Sequence, residues 1–358
     1  MNCIEYSRTT DKRIFIKNIY YMLAYAFQSL NCLEFKNIAA EEFDNIHDLF
    51  AAILGKGIGQ QLKRGLYREY CSRKEDLPGL RGKIDMTGTI RQRLARKPRL
   101  SCEYGELSEN NLLNQILKTT AMLLLRNEHV RLHNREALKK EMLFFSDIGT
   151  LDPAAVKWAD VRFDRNSQAY RMLLGICRMV LEGMLLTTDS GAYRLASFLD
   201  DQQMSRLYEK FILEYYKREW PDLRASAAEI PWALGDGVRG QLPAMQSDVT
   251  LSLGETVLII DAKFYSHAMQ EQYGVRTIQS HNLYQIFTYV KNRDAGFQNE
   301  PHTVSGMLLY ARTDEDIQPG GDYLMSGSRI CVKTLDLNCE FSGIADQLDQ
   351  IVSDFFSR

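Results

Sequence analysis

Ser247–Tyr265 reads SDVTLSLGETVLIIDAKFY. Val249, Leu251 and Leu253 alternate with Asp248, Thr250 and Ser252, the period of a half-buried strand. Gly254-Glu255 is a Gly-X pair suited to a two-residue hairpin loop, because glycine accepts the positive φ that the first loop position requires. Thr256–Tyr265 is β-branched and aromatic, with the near-continuous apolar run of a central strand. With Gly254 and Glu255 as the loop, Leu253 faces Thr256, Leu251 faces Leu258 and Val249 faces Ile260. Asp248 then stands opposite Asp261. Directly opposed side chains have Cβ atoms about 4.5–5.5 Å apart. Lys263, two residues beyond Asp261, projects from the same face. Opposed like charges destabilise a sheet unless something offsets them. A divalent cation would do so, and Mg²⁺ accepts one or two carboxylates with water and phosphate. An ordinary exposed hairpin with an Asp-Lys ion pair is the competing reading of these residues.

Moving outward, Gln202–Trp220 carries Met204, Leu207, Tyr208, Phe211, Ile212 and Tyr215 on one helical stripe. Glu209 lies at its flank, where a carboxylate can look across at a neighbouring sheet. His281–Tyr289 is a further helix, with Gln285 and Tyr289 four apart on one face. Val304–Tyr310 is expected as a buried strand, and a polar loop with Pro319-Gly320-Gly321 follows it. Ile330–Leu337 is expected as another strand and Ile344–Phe356 as a closing helix. The order α-β-β-α-β-β-α is that of a mixed α/β core.

The first half has a different texture. Lys17–Leu30 has helical apolar spacing, broadened by Tyr20, Tyr21 and Tyr25. Phe43–Tyr70 is expected as helix broken near Gly55, Gly57 and Gly59. Cys71–Leu107, with Pro78-Gly79, Gly82, Gly88, Pro98 and Gly105, is expected as a small β element with loops. It is also basic. Lys63–Arg99 holds twelve Lys/Arg against four Asp/Glu, densest in RQRLARKPR at Arg91–Arg99. Such a run is a solvated face or a surface for nucleic-acid phosphate or an acidic partner. Ser108 is the expected N-cap of a helix over 108–125. Arg135–Phe145 and Tyr170–Leu186 are further expected helices. Glu128, His129 and His133 do not form H-E-x-x-H, so no metal is expected there. The polar stretch Thr187–Arg194 marks a boundary. The expected organisation is an N-terminal helical domain over 1–195, with the basic element at about 71–107, and an α/β domain over 196–358.

Length favours two domains. Hydrophobic content of 45% and charged content of 25% are those of a globular protein. A net charge of −2 carries no global basic signature, so any contact with nucleic acid is local. The seven cysteines are scattered and form no C-x-x-C, which argues against a disulfide framework or zinc ribbon and for a reducing compartment. The start lacks the pattern of a signal peptide, and no stretch approaches 18 apolar residues. The expected setting is cytoplasmic, with no membrane partner. No G-x-x-x-x-G-K-[ST] occurs, so the chain is not expected to hydrolyse nucleotide itself.

The order of elements, with D…D-x-K on the hairpin and Q-x-x-x-Y on the next helix, resembles the PD-(D/E)xK nucleases. The leading proline of that pattern is replaced by Ser247. KNIYYMLAYAF, LPGLRGKID, LSENNLLNQILK and SHNLYQ further resemble the McrC family of modification-dependent restriction systems, from about Ile16 to the last helix. This resemblance implies an Mg²⁺-dependent DNA endonuclease with one or two ions. It implies Asp248, Asp261 and the carbonyl of Ala262 as metal ligands. Lys263 would position the attacking water and stabilise developing charge. Glu209 would complete the site, and Gln285 and Tyr289 would orient Lys263 or touch phosphate. The implied partners are a McrB-type AAA+ GTPase, through which alone GTP enters, and double-stranded methylated DNA. Lys17, Arg81, Arg91, Arg93, Arg96, Lys97 and Arg99 are candidates for partner or DNA contact. A non-cleaving adaptor that activates a partner GTPase, or a standalone RecB-like nuclease, are the alternative readings.

Overall fold

A computed structural model describes residues 14–27, 38, 41, 43, 45–164, 167, 170–187, 193–195, 199–235, 240–272, 275–297 and 301–356. The chain divides into two compact units, one of Met1–Leu49 with Ala196–Arg358 and one of Phe50–Leu195. Residues 1–49 group with the C-terminal α/β unit and not with the helical one.

The reason lies in the first helix, α1 (Ile16–Ala26). It is apolar almost all round, so it needs partners on several sides. Tyr21 stacks on Phe341 with ring centroids 4.4 Å apart, and Tyr25 meets Phe211 and Tyr215. The Tyr25 hydroxyl donates to Glu219 Oε1 at 2.8 Å. Buried Asn18 donates through Nδ2 to the carbonyls of Leu337 and Cys339, both at 2.8 Å. Asn18→Ala strands a buried carbonyl, which costs about 2 kcal/mol. The expected result is a lower urea midpoint for the whole chain. An unmoved midpoint would mean α1 is not held at this position. The expected extension of this helix to Leu30 lies outside the described residues.

The second unit contains most of α2 (Ile46–Arg64). It does not break at its glycines as the sequence suggests. A Cβ at Gly57 would lie 2.2 Å from Leu173 Cδ2, so the glycine allows close helix packing. Strands β1 (Glu69–Leu77), β2 (Lys83–Ile84) and β3 (Leu100–Ser108) form an antiparallel sheet in the order β1-β3-β2. A helix, α3 (Met86–Leu94), interrupts what the sequence suggests is β and loop. Asp85 caps it by accepting from the Gly88 N–H. Helix α4 (Leu112–Arg126) is capped by Asn111, whose side chain accepts from Asn114, and not by Ser108. Ser108 instead accepts from the Asn110 N–H, closing the turn before it. Helices α5 (Leu132–Met142) and α6 (Tyr170–Gly183) and the short pair β4 (Leu185–Thr187) and β5 (Tyr193–Leu195) complete this unit. Most of the polar segment 187–194 lies outside the described residues.

The first unit resumes with α7 (Asp201–Glu219), capped by Asp200. Then come β6 (Arg224–Ser226), the pair β7 (Glu229–Ile230) and β8 (Met245–Gln246), and the hairpin β9 (Val249–Leu253) and β10 (Thr256–Lys263). Its register pairs Leu253 with Thr256, Leu251 with Leu258 and Val249 with Ile260, as the alternation requires. Gly254 has φ +57° while Glu255 is not left-handed, the II′ pattern. A second hairpin, β11 (Met269–Gln272) and β12 (Val275–Ile278), leads into α8 (Ser280–Ala295). Strands β13 (Thr303–Ala311), β14 (Gly321–Met325) and β15 (Ser328–Leu335) and helix α9 (Phe341–Phe356) follow. β14 occupies part of the stretch expected as a polar loop. Its residues are mostly exposed, as befits an edge strand, and carry no buried period to mark them.

These strands build a six-stranded mixed sheet, β14-β15-β13-β10-β9-β6. β10 pairs antiparallel with β9 and parallel with β13, and β13 is parallel to β15. Val257 and Ile259 pack with Ile286 and Val290 of α8 and with Leu308 and Ile330 in one buried cluster. The Tyr208 hydroxyl of α7 reaches the Leu309 carbonyl. Tyr215 and Trp220 both donate to Asp349 Oδ1, tying α7 to α9. The first unit is thus a mixed α/β sheet with flanking helices, and the second is mainly helical with its own small sheet.

Candidate active site

β9 begins at Val249, and Asp248 stands just before it. There its carboxylate continues the ladder that the backbone has not yet joined. Asp248 Oδ2 accepts from the Ala262 N–H at 2.8 Å. In an antiparallel pair a residue turns its N–H and C=O to the same neighbour. The Ala262 carbonyl is therefore directed to the side where Asp248 sits. One residue earlier, Asp261 projects from the β10 face that also carries Ile259 and Lys263.

Asp261 is 1% exposed. Its Oδ2 lies 2.7 Å from Lys263 Nζ, whose side chain is only 13% exposed. This is a close ion pair between two side chains largely shielded from water. Lys263 Nζ donates to Gln285 Oε1 at 3.3 Å, and Gln285 Nε2 donates to the Tyr289 hydroxyl at 3.0 Å. Tyr289 is in turn packed in the α8 side of the core. An unbroken chain of contacts thus runs Asp261–Lys263–Gln285–Tyr289, with Asp248 on the adjoining strand.

The electrostatics are those of negative charge held out of water. Burial, and then the neighbouring Asp261, push the Asp248 carboxyl up to about 7. Burial raises Asp261 as well, against the pull of Lys263. Burial would lower Lys263, but contact with Asp261 and the field of Asp248 outweigh it, so the ammonium is held above its ordinary value. Glu209 on α7 is half-buried, and its Oε1 accepts from Ser205 Oγ at 2.9 Å. Burial first, then Asp248, raise it.

One buried carboxylate, one half-buried carboxylate and a backbone carbonyl suit a hard cation that keeps waters of its own. They do not suit a closed cage. Among the described residues no three His, Cys, Asp or Glu side chains gather at metal-binding distance. The charge of Asp248 acts on Glu209, which lines the same cleft.

The basic candidates lie on other elements. Lys17 is an exposed position on α1. The others lie in the second unit. The Arg81 guanidinium sits 3.9 Å above the Tyr104 ring and 3.9 Å from Glu106. Arg91 and Arg93 are exposed on α3, where Met86, Ile90 and Leu94 are exposed as well. Arg96 takes φ +57° where α3 ends, and Lys97 and Arg99 follow in an exposed loop. Arg99 is tied to the Asp76 carbonyl at 3.3 Å.

The sequence reading missed two residues beside the acid pair. Arg206 and Lys210 flank Glu209 and line a cleft of about 340 Å³ together with Gln246, Ser247 and Asp248. Their spacing on a helix whose other face is core was the available signal.

Known proteins are similar to this chain in sequence and in fold. The family model described as a McrBC 5-methylcytosine restriction system component matches residues 5–311. The type IV methyl-directed restriction enzyme EcoKMcrBC of Escherichia coli K12 is 27% identical over 344 residues, 95% of this chain and 97% of that protein. A chain of the Thermococcus gammatolerans assembly of McrB AAA+ hexamers with bound McrC shares the fold. Its TM-score is 0.52 at 18% identity, over 95% of this chain and 76% of that one.

Proposed function

The chain belongs to the McrBC family of 5-methylcytosine restriction system components, and from that premise we propose that it is the Mg²⁺-dependent DNA endonuclease subunit, of PD-(D/E)xK type, working with a McrB-type AAA+ GTPase. The observation that carries this reading is the contact chain at the end of β10. It joins an opposed acid pair, a lysine held against it and a glutamine–tyrosine brace.

Asp248, Asp261 and the Ala262 carbonyl would hold Mg²⁺, which supplies neutralisation at the reacting phosphate and makes water attack on phosphorus accessible at neutral pH. Lys263 keeps its proton in this setting, so it acts as a donor. Its ammonium orients the attacking water and gives a hydrogen bond to the phosphate oxygen on which charge builds. Gln285 holds that ammonium from the far side, and Tyr289 fixes the amide so that its oxygen faces Lys263. In the overall step one P–O bond forms to water, one P–O bond to the sugar breaks, and the departing oxygen takes up a proton. The half-buried Glu209 lies where its field acts on the same carboxylates.

The second unit supports the partner reading. Met86, Ile90 and Leu94 are 64%, 53% and 80% exposed, on a helix that also presents Arg91 and Arg93. Apolar side chains recurring every fourth residue without cover are what a protein partner buries. GTP then enters through the partner, and the same partner supplies recognition of modified DNA.

The test is reconstitution of the chain with a McrB-type GTPase, GTP, Mg²⁺ and methylated duplex DNA. Cleavage that disappears with EDTA is expected, and no cleavage under these conditions rejects the reading. With Ile90→Asp and Leu94→Asp together, stimulation of the GTPase is expected to fall at least tenfold. Undiminished stimulation would assign docking to another surface.

A further inference from the structure

The cleft beside Asp248 has a wall that the acid pair does not explain. α7 contributes Arg206, Glu209, Lys210 and Leu213, and the opposite side is Ala227, Gln246, Ser247 and Asp248. Arg206 and Lys210 are four apart, so they stand on one face of the helix about one turn from each other. Both are exposed. Ser247, by contrast, is a buried brace, with its hydroxyl 2.8 Å from that of Thr250. The opposite wall is therefore fixed and, apart from Asp248, neutral, and the cations are on α7.

We propose that this cleft holds the sugar-phosphate backbone of the strand being cut, with Arg206 and Lys210 as the contacts to phosphates next to the reacting one. The inference rests on the nuclease reading above and extends its site from the acid pair along α7. Three observations carry it. The cleft is lined by Asp248 itself, so a strand lying in it passes beside one member of the acid pair. Its volume of about 340 Å³ leaves room for a segment of sugar-phosphate backbone. The two cations are also arranged and not merely present. Lys210 Nζ lies 4.3 Å over the Phe27 ring, which restricts a flexible side chain. Arg206 is close enough to Glu209 to act on its carboxyl. An acid pair repels the anion it must receive, and cations in the same cleft offset that repulsion as the strand approaches.

Phosphate contacts position a nucleic acid without reading its bases, so these residues set where the strand lies, not which sequence is cut. Each contact releases counterions, and the slope of log K against log salt falls by about 1 when one is removed.

The experiment uses the full chain carrying Asp261→Asn, bound to a fluorescein-labelled duplex in a potassium chloride series and read by anisotropy. Arg206→Met and Lys210→Met keep much of each stem and remove the charge. Together they are expected to lower the slope by about 2, and near 0.15 M salt to weaken binding about fivefold per contact. Arg206→Lys is expected to restore the slope lost at that position. An unchanged slope in the double variant, or no salt-dependent binding by the parent, overturns the proposal. Failure of the nuclease reading looks different, because an Asp261→Asn chain that still cuts DNA in the reconstituted complex shows it whatever the slope.

Discussion

Asp261→Asn is expected to abolish DNA cleavage by the reconstituted complex, with a loss of about a thousandfold or more in the single-turnover rate. The substitution keeps the shape of the side chain and removes the charge of a carboxylate that is 1% exposed. That change deletes one of two charged ligands for Mg²⁺ and leaves Lys263 without its ion-pair partner at 2.7 Å. Lys263→Ala is expected to lose a similar factor by another route, since the acid pair stays and the donor to the reacting phosphate goes. Gln285→Ala keeps the ammonium but frees it on one side, so its loss should be smaller, on the order of tenfold, and partly recovered in Gln285→Asn. If either Asp261→Asn or Lys263→Ala cuts at the parental rate, the catalytic centre is somewhere else. The partner's GTPase rate, read in the same reaction, separates failure to cut from failure to assemble.

A second large effect concerns pH. The Asp248 carboxyl is pushed up to about 7 from an ordinary 3.8, by burial and by Asp261. The folded chain therefore binds more protons than the unfolded chain between those values. Stability from this group is full below the unfolded value and is lost as pH rises through the window from about 4 to about 7. Asp261 and Glu209 are raised in the same direction and steepen the loss. Moving a carboxyl pKa by 1 corresponds to about 1.4 kcal/mol, so metal-free protein at about pH 8 is destabilised by a few kcal/mol through the acid pair. Asp248→Asn can still accept from the Ala262 N–H and carries no charge. It is expected to raise the urea midpoint in EDTA at about pH 8 and to change it little at about pH 5. Added Mg²⁺ should stabilise the parent at the higher pH and have much less effect on the variant. A variant destabilised equally at both pH values would mean that the pair is not strained.

Both predictions come from one local arrangement, and much of it is visible in Ser247–Tyr265. The alternation in Val249–Leu253 and the Gly254-Glu255 loop leave one register that buries the apolar set, and that register, ending at the Val249–Ile260 pair, brings Asp248 to the Asp261–Ala262 end of β10. A slip of one residue would turn every side chain to the other face, which is why so short a stretch can be decisive. Gln285 and Tyr289 are legible as a helical pair for the same reason of period. Helix α3 is much less legible, because its apolar residues face outward and its better-covered side is Gly88, Thr89 and Gln92. Edge strand β14 is obscured in a similar way, with exposed residues that show no burial pattern. The glycines of α2 mislead because a propensity scale records their helix cost and not the space that Leu173 needs at Gly57.

The sequence by itself therefore determined the hairpin, its register, the placing of Asp248, Asp261 and Lys263 on one face, and the helix bearing Gln285 and Tyr289. These follow from local period and turn chemistry, which act between residues close in the chain. Tertiary structure alone decided the rest. It brought α1 to α7 and α9, through Asn18, Tyr21 and Tyr25 reaching partners some two to three hundred residues away. It set Glu209, Arg206 and Lys210 along the cleft beside Asp248. It also settled the direction in which the Lys263 ammonium is moved. There the contest between burial and two carboxylates depends on distances of a few ångströms, and no pattern of residues along the chain records those.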